Sequence, residues 1–283
     1  MKRLVLQLSV LCLAAFVGAC SNSDTANTTN KSSANVDNSL TRVQDAGVLQ
    51  WGADVVGGVP YVYEDPDHPG EYIGFEMDIA QAVAARLGVE LQLVIKAWDT
   101  LIPELQRGSY DLAMNGIENT EDRSEMVLFS APYFVYAQQI TVRNETNDIN
   151  GLDDLQGKKV ATLSGTAAED ILRASDGVHV VTNPEIIYSY RDLEDGRVDA
   201  VVLDTPIAAA YGAPNPKLKN VGDSFAEGEY VIAFRRNDVA LRNAVDSALH
   251  QIKTDGTFQQ ILEKWGLFDQ HQQRIVNIDS ASN

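Results

Sequence analysis

One frame occurs twice in this chain: Leu105-x-x-Gly108-x-x-Asp111-Leu112 and Leu193-x-x-Gly196-x-x-Asp199-Ala200. Each copy closes a segment of helical apolar spacing, stops it on a glycine and opens a run of strand formers. Helix end, glycine stop and strand start, used twice, constrain the chain to α/β layering and point to two similar lobes. The neighbouring segments follow the same grammar. Val48 to Ala53 predicts a strand. Phe75, Ile79, Ala82, Val83 and Leu87 fall at helical spacing before Gly88, and Val89, Leu91, Leu93 and Ile95 alternate as a strand. Thr100 reads as an N-cap, with Pro103 tolerated in the first turn. Later, Lys159–Leu163, Val178–Val181 and Asp199–Leu203 read as strands, with helices over Ala167–Ala174 and Ile186–Glu194 between them. The expected fold is α/β, each lobe a mostly parallel sheet flanked by helices. Ligands of such sheets sit outside the carboxyl ends of the strands, here Asp54, residues 115–123, Ser164 to Thr166 and Asp204.

The chain has 283 residues, enough for about two domains. Its 45% hydrophobic and 22% charged residues exclude wholesale disorder. Forty acids against 22 bases give a formal charge of −18, which argues against a nucleic-acid partner. Cys12 and Cys20 cannot build a disulfide framework, and His68, His179, His250 and His271 have no metal-ligand spacing. Asp65, Asp67, Gly70 and Glu76 match EF-hand spacing. Pro69 occupies a ligand position there and Glu76 belongs to the next helix, so a polar turn is the better reading. No metal and no cofactor is expected.

The amino terminus reads as an address. Lys2 and Arg3 precede a mostly apolar run from Leu4 to Val17, too short to span a bilayer and suited to a signal-peptide core. The run ends in Val17-Gly18-Ala19-Cys20, which resembles the lipobox of bacterial lipoproteins: residues 1–19 would be removed and Cys20 lipidated. The plainer alternative is a secretory peptide cut after Ala19. Residues 20–39 are polar and small, and read as a flexible tether. Residues 269–283 read as a C-terminal tail.

Several motifs then stand in one order. They are Gly74-Phe75-Glu76-Met77-Asp78-Ile79, Trp98-x-x-Leu101-Ile102-Pro103, Asp111-Leu112-Ala113, and Gly116-Ile117-x-x-Thr120-x-x-Arg123. After them come Phe129-Ser130-x-Pro132-Tyr133, Ser164-Gly165-Thr166, Asp199-Ala200-Val201-x-x-Asp204-Thr205-Pro206 and Val221-Gly222-Asp223-Ser224. Together they resemble the bacterial extracellular solute-binding proteins of family 3, the polar amino-acid class, and among them most closely the glutamine-binding type. The resemblance implies a two-lobed periplasmic-binding-protein fold of type II. It implies a discontinuous first lobe over 40–137 and 230–268, a second lobe over 138–229, and hinge closure on an amino acid delivered to an ABC importer.

The resemblance also implies roles for residues. Arg123 would clamp the ligand carboxylate, helped by Gly116 and by the helix start at Gly165-Thr166; by its acidic surroundings alone, Arg123 reads as a surface residue. Asp204 would take the ammonium from the second lobe, or cap the helix before Pro206. Trp98 would lie against the ligand's apolar carbons, or in the core. Asp54 would read the ligand side chain, or cap its own loop. Glu118 departs from the Ser or Thr usual in the family. It either contacts the ligand, favouring a polar or basic side chain over an acidic one, or simply pairs with Arg123. The loop 54–60 lacks the family's aromatic lid, for which Tyr61 or Tyr63 is a substitute.

The expected partners are a free amino acid, an ABC transporter permease and a membrane reached through the lipid on Cys20. The protein is expected as a monomer on the extracytoplasmic face of the cell envelope. Two other readings stay open: a ligand sensor serving a membrane receptor, and a periplasmic cyclohexadienyl or arogenate dehydratase with Glu118 as proton donor.

Overall fold

The computed structural model describes residues 37–56 and 58–280. The expected signal peptide, the lipidation site at Cys20 and nearly all of the tether lie outside the described residues. Among the described residues, no helix is long and apolar enough to cross a membrane.

Two five-stranded sheets carry the fold. In the first, Val48–Ala53 lies between Glu90–Ile95 and Leu112–Ala113, parallel to both; Ala233–Phe234 and Leu128–Phe129 complete it. In the second, Lys159–Leu163 lies parallel to His179–Asn183 and to Ala200–Asp204. Phe134–Arg143 runs antiparallel between Ala200–Asp204 and Leu218–Tyr230. Four of the five strands in each sheet therefore run in one direction. The exception is Ala233–Phe234 in the first and Phe134–Arg143 in the second.

The twice-used frame has a physical basis. Gly108 and Gly196 both end helices in the left-handed region, at φ 83° and 70°. Three residues on, Asp111 accepts the Gln50 N–H at 3.0 Å, and Asp199 accepts the Lys159 N–H at 2.8 Å. The backbone N–H of each aspartate bonds back to the carbonyl of that same residue, at 2.9 Å and 2.7 Å. In both lobes one aspartate thus fixes the register of a parallel strand against its neighbour.

Burial on both faces explains the apolar strand sequences. Along Ala200–Asp204 every residue is buried. Ala200 and Val202 pack with Leu172 of the helix Ala167–Ala174 on one face. Val201 and Leu203 pack with Ile186, Tyr190 and Leu193 of the helix Ile186–Glu194 on the other. In the first lobe, Phe75, Ile79 and Val83 of the helix Phe75–Leu87 meet Trp51 and, from the helix Val239–Thr254, Val245 and Leu249.

The chain leaves the first sheet after Phe129 and enters the second at Phe134; it returns between Tyr230 and Ala233. Aromatic rings gather at these crossovers. Tyr136 stacks on Tyr230 at 4.6 Å between centroids, and Phe134 stacks on it at 5.6 Å.

Two expectations need correction. Thr100 does not cap a helix with its side chain. It ends a short 3-10 turn over Trp98–Thr100, and its hydroxyl donates to the Ala97 carbonyl at 2.8 Å. The segment read as a tail from 269 instead forms a helix, Gln270–Ser280. Gln272, almost fully buried, accepts from the Val135 N–H at 3.0 Å and donates to the Val135 carbonyl at 2.7 Å. This polar side chain satisfies both backbone groups of a strand residue, and beside it the buried Ile275 and the half-buried Val276 dock an otherwise hydrophilic helix.

Candidate functional site

The carboxyl ends of the parallel strands face one cleft, with a cavity of about 40 Å³ at its base. Asp54, Trp98, Gly116 and Glu118 reach it from the first lobe, and Thr166 and Asp204 from the second. Tyr61, Asn115, Ile186 and Ile207 complete much of the wall.

Asp204 ends the strand Ala200–Asp204 and is buried. It makes no side-chain cap bond to the helix that follows. Its carboxylate instead accepts from Gln138 Nε2 at 2.7 Å and from the Tyr230 hydroxyl. Both donors are neutral, and both come from crossover strands. Burial, and then the charge of Glu118, push the Asp204 carboxyl up to about 8. Tyr230 and Tyr61 share a hydrogen bond at 2.8 Å, so phenols link the first lobe to this carboxylate in the second.

Arg123 lies on the short helix Glu121–Met126, whose N-cap Thr120 accepts the Arg123 N–H. Its guanidinium is one layer behind the cavity wall rather than in it. It pairs with the Glu118 carboxylate, donates to the Glu118 carbonyl at 3.0 Å, and crosses the cleft to the Gly165 carbonyl at 2.8 Å. Trp98 covers it at 5.4 Å from guanidinium carbon to ring centroid. The other Glu118 oxygen accepts the Ala167 N–H at 3.0 Å, from the first turn of the helix Ala167–Ala174. Of the two roles considered for Glu118, the pairing with Arg123 is the one present in this arrangement.

The remaining side chains are also engaged. Trp98 is half-buried on the cleft, not in the core, and its indole N–H donates across the cleft to the Ser164 carbonyl at 3.1 Å. Asp54 caps its loop by accepting from Val56 and Trp98 N–H groups at 2.8 Å and 3.0 Å. Burial pushes its carboxyl up against these bonds, and Glu185 and Asp99 add to the effect. The Thr166 hydroxyl donates to the Leu163 carbonyl at 2.8 Å and accepts the Glu169 N–H as an N-cap. Gly116 sits at φ 62°, where a Cβ would meet the Tyr61 ring at 2.9 Å. Its N–H donates to Glu76 at 2.7 Å. Glu76 is buried and also accepts from Tyr133; burial pushes its carboxyl up to about 7.

Of the two tyrosines considered for the missing ring, Tyr61 walls the cavity, whereas Tyr63 packs edge-on against Trp265 at 6.2 Å. Gln138 and Tyr230, the partners of Asp204, were not anticipated. Each stands on a strand and is distant in sequence from the group it serves.

Over residues 55–268 the chain matches the bacterial extracellular solute-binding proteins, family 3. It belongs to that family. Among its relatives is the L-cystine-binding protein TcyJ of Escherichia coli K12. The two are 33% identical over 229 residues, covering 80% of this chain and 85% of TcyJ. A solved ancestral arginine-binding protein bound to glutamine superposes with a TM-score of 0.74 at 36% identity, covering 78% of this chain and 99% of that one. A solved ancestral amino acid-binding protein described as a precursor of cyclohexadienyl dehydratase superposes with a TM-score of 0.74 at 34% identity, covering 80% and 98%. The two-lobed periplasmic-binding-protein architecture expected from the sequence is the architecture of this family.

Proposed function

We propose that this chain binds a free amino acid in the cleft between its lobes and delivers it to an ABC importer, without catalysing a reaction. The observation that carries the reading is Asp204. It is a buried carboxylate hydrogen-bonded only by neutral groups, facing a cavity that it shares with the Arg123–Glu118 loop of the other lobe. An ammonium supplies the positive charge such a group lacks, and an arginine nearby suits the carboxylate on the same carbon. Bridging two lobes, a zwitterion favours the closed arrangement over an open one, which is how a ligand drives hinge closure.

Asp54, Asp99 and Glu185 add negative charge at the cleft mouth. That charge, with Glu118, favours a polar or basic side chain. The relatives named for cystine and arginine fit this range. The expected setting is the extracytoplasmic face of the cell envelope, with a lipid on Cys20 as the anchor and a permease as the receiving partner.

A thermal-shift screen of the twenty amino acids, followed by calorimetry, tests the reading. Stabilisation by one or a few polar or basic amino acids is expected; no response to any of them, by this chain or by variants in which Glu118 is replaced, would refute it. A dehydratase is the second reading, favoured by the raised carboxyl of Asp204 in a cleft. Turnover of prephenate or arogenate by the purified protein would decide for it.

A further inference from the structure

Recognition of an amino-acid carboxylate here calls for two donors, the Arg123 guanidinium and an amide at the start of the helix Ala167–Ala174. Both are already held by one side chain. Glu118 Oε2 accepts from Arg123 Nη1, and Glu118 Oε1 accepts from the Ala167 N–H at 3.0 Å. Nη1 has two hydrogens, and both point at Glu118, one to the carboxylate and one to the backbone carbonyl at 3.0 Å. The glutamate side chain is 1% exposed and the arginine 13%, so the carboxylate end of the pair is shielded from water.

We propose that Glu118 is a tethered competitor, a carboxylate of the protein's own that occupies the ligand-carboxylate donors, latches the lobes together and must leave before an amino acid seats. The inference rests on the amino-acid reading of the cleft.

Space and charge both argue for an exchange rather than an addition. A cavity of about 40 Å³ holds only about three waters at roughly 10–15 Å³ each, fewer non-hydrogen atoms than any amino acid, glycine included. Glu118 is part of its wall, so its withdrawal enlarges the space and frees the donors in one movement. If Glu118 stayed, the incoming carboxylate would join Glu118 and Asp204 in one buried site, with Arg123 as the nearby cation that acts on Asp204. The latch is also placed to link the lobes. Glu118 and Arg123 stand on the first lobe, while Ala167 and Gly165 stand on the second. Contacts that close a cleft from within lower the affinity for any ligand that must first break them.

The competitor also sets selectivity. A ligand repays the lost latch only if it brings both a carboxylate for the vacated donors and an ammonium for Asp204. Amines without a carboxylate and acids without an ammonium gain only half of that exchange.

Calorimetry on the full chain in detergent micelles tests the proposal, with L-arginine, L-glutamine and L-cystine as probes. Wild type, E118Q and E118T are compared, and tryptophan fluorescence is followed by stopped flow. Both variants are expected to bind at least one probe about tenfold or more tightly than wild type does. In wild type the observed rate should level off at high probe concentration, limited by departure of Glu118, and the ceiling should rise in the variants. A merely structural Glu118 would move the melting temperature but not that ceiling. Binding by the variants alone also supports the proposal.

Equal or weaker affinity in both folded variants overturns it. So does a wild-type rate that rises in proportion to probe concentration throughout, a measurement that stands even if a variant folds poorly. Absence of binding to wild type and both variants, for these probes and for all twenty amino acids in the thermal-shift screen, is a separate result: it removes the amino-acid reading itself, and the proposal with it.

Discussion

Tyr230, at the end of the strand that leads back to the first lobe, donates its phenol hydrogen to Asp204 at the cleft end of a strand in the second. The same hydroxyl meets that of Tyr61, a wall residue of the first lobe. The carboxyl proposed to read an ammonium is thus tied to a crossover and, through it, to the opposite wall.

Tyr230→Phe leaves one Asp204 oxygen and the Tyr61 hydroxyl without this partner in a buried site. A loss of about 1–3 kcal/mol of folding stability is expected in denaturant titrations, at the scale of a buried polar group left unpaired. Amino-acid affinity should fall as well, because removing the phenol pushes the Asp204 carboxyl further up. Unchanged stability and affinity would show that the phenol does not hold this carboxylate.

The raised carboxyls give a signed dependence on pH. Asp204 rises from an ordinary 3.8 to about 8 and Glu76 from 4.5 to about 7, so the native state keeps protons that the unfolded chain releases. Their contribution to stability is full below about pH 4 and declines as pH rises through 7 and 8. Denaturant midpoints measured across that range should record the decline, and Asp204→Asn should flatten its upper part. Because an ammonium calls for ionised Asp204, ligand binding below about pH 8 should release up to one proton. Calorimetry in buffers of differing ionisation enthalpy reads that release directly.

Arg123→Ala strands the buried Glu118 carboxylate. Breaking such a pair from one side costs about 3–5 kcal/mol, so this variant should be markedly less stable as well as impaired in binding. Adding Glu118→Gln in the same chain should restore much of the stability but not the affinity. If Arg123→Ala alone melts like wild type, the pair is not sealed from water as its burial indicates.

Gly116→Ala tests the floor of the cleft. A Cβ at φ 62° meets the Tyr61 ring, and a non-glycine residue held in that region costs about 1–2 kcal/mol. A destabilisation of that order is expected, with a further loss of affinity because Tyr61 shifts into the cavity. An alanine variant with wild-type binding would show that Tyr61 can move away from the ligand.

What the sequence revealed follows from the range of the interactions. The repeated frame was legible because a glycine stop and a strand-starting aspartate are local, and the cleft residues were legible because they follow strand ends. The partners of Asp204 were not legible. Gln138 and Tyr230 sit in strands whose apolar pattern says nothing of which polar side chain turns inward. The Glu118–Arg123 pair was visible only as one of two alternatives, since residues five apart can meet or part according to what lies across the cleft. The C-terminal helix was missed because its docking rests on two apolar residues, Ile275 and Val276, and on Gln272 at a backbone site beside Val135 far away in sequence, too little for an apolar stripe to show.

That docking has a consequence for any shortened form of the protein. The match to the family ends at residue 268, before the helix Gln270–Ser280 begins. A chain cut there would keep every residue that walls the cavity, yet it would lose the amide that mimics a neighbouring strand beside Val135. The damage would surface at the connection between the halves, and a fault there would touch the proposed swing of the lobes before it touched the wall of the cleft.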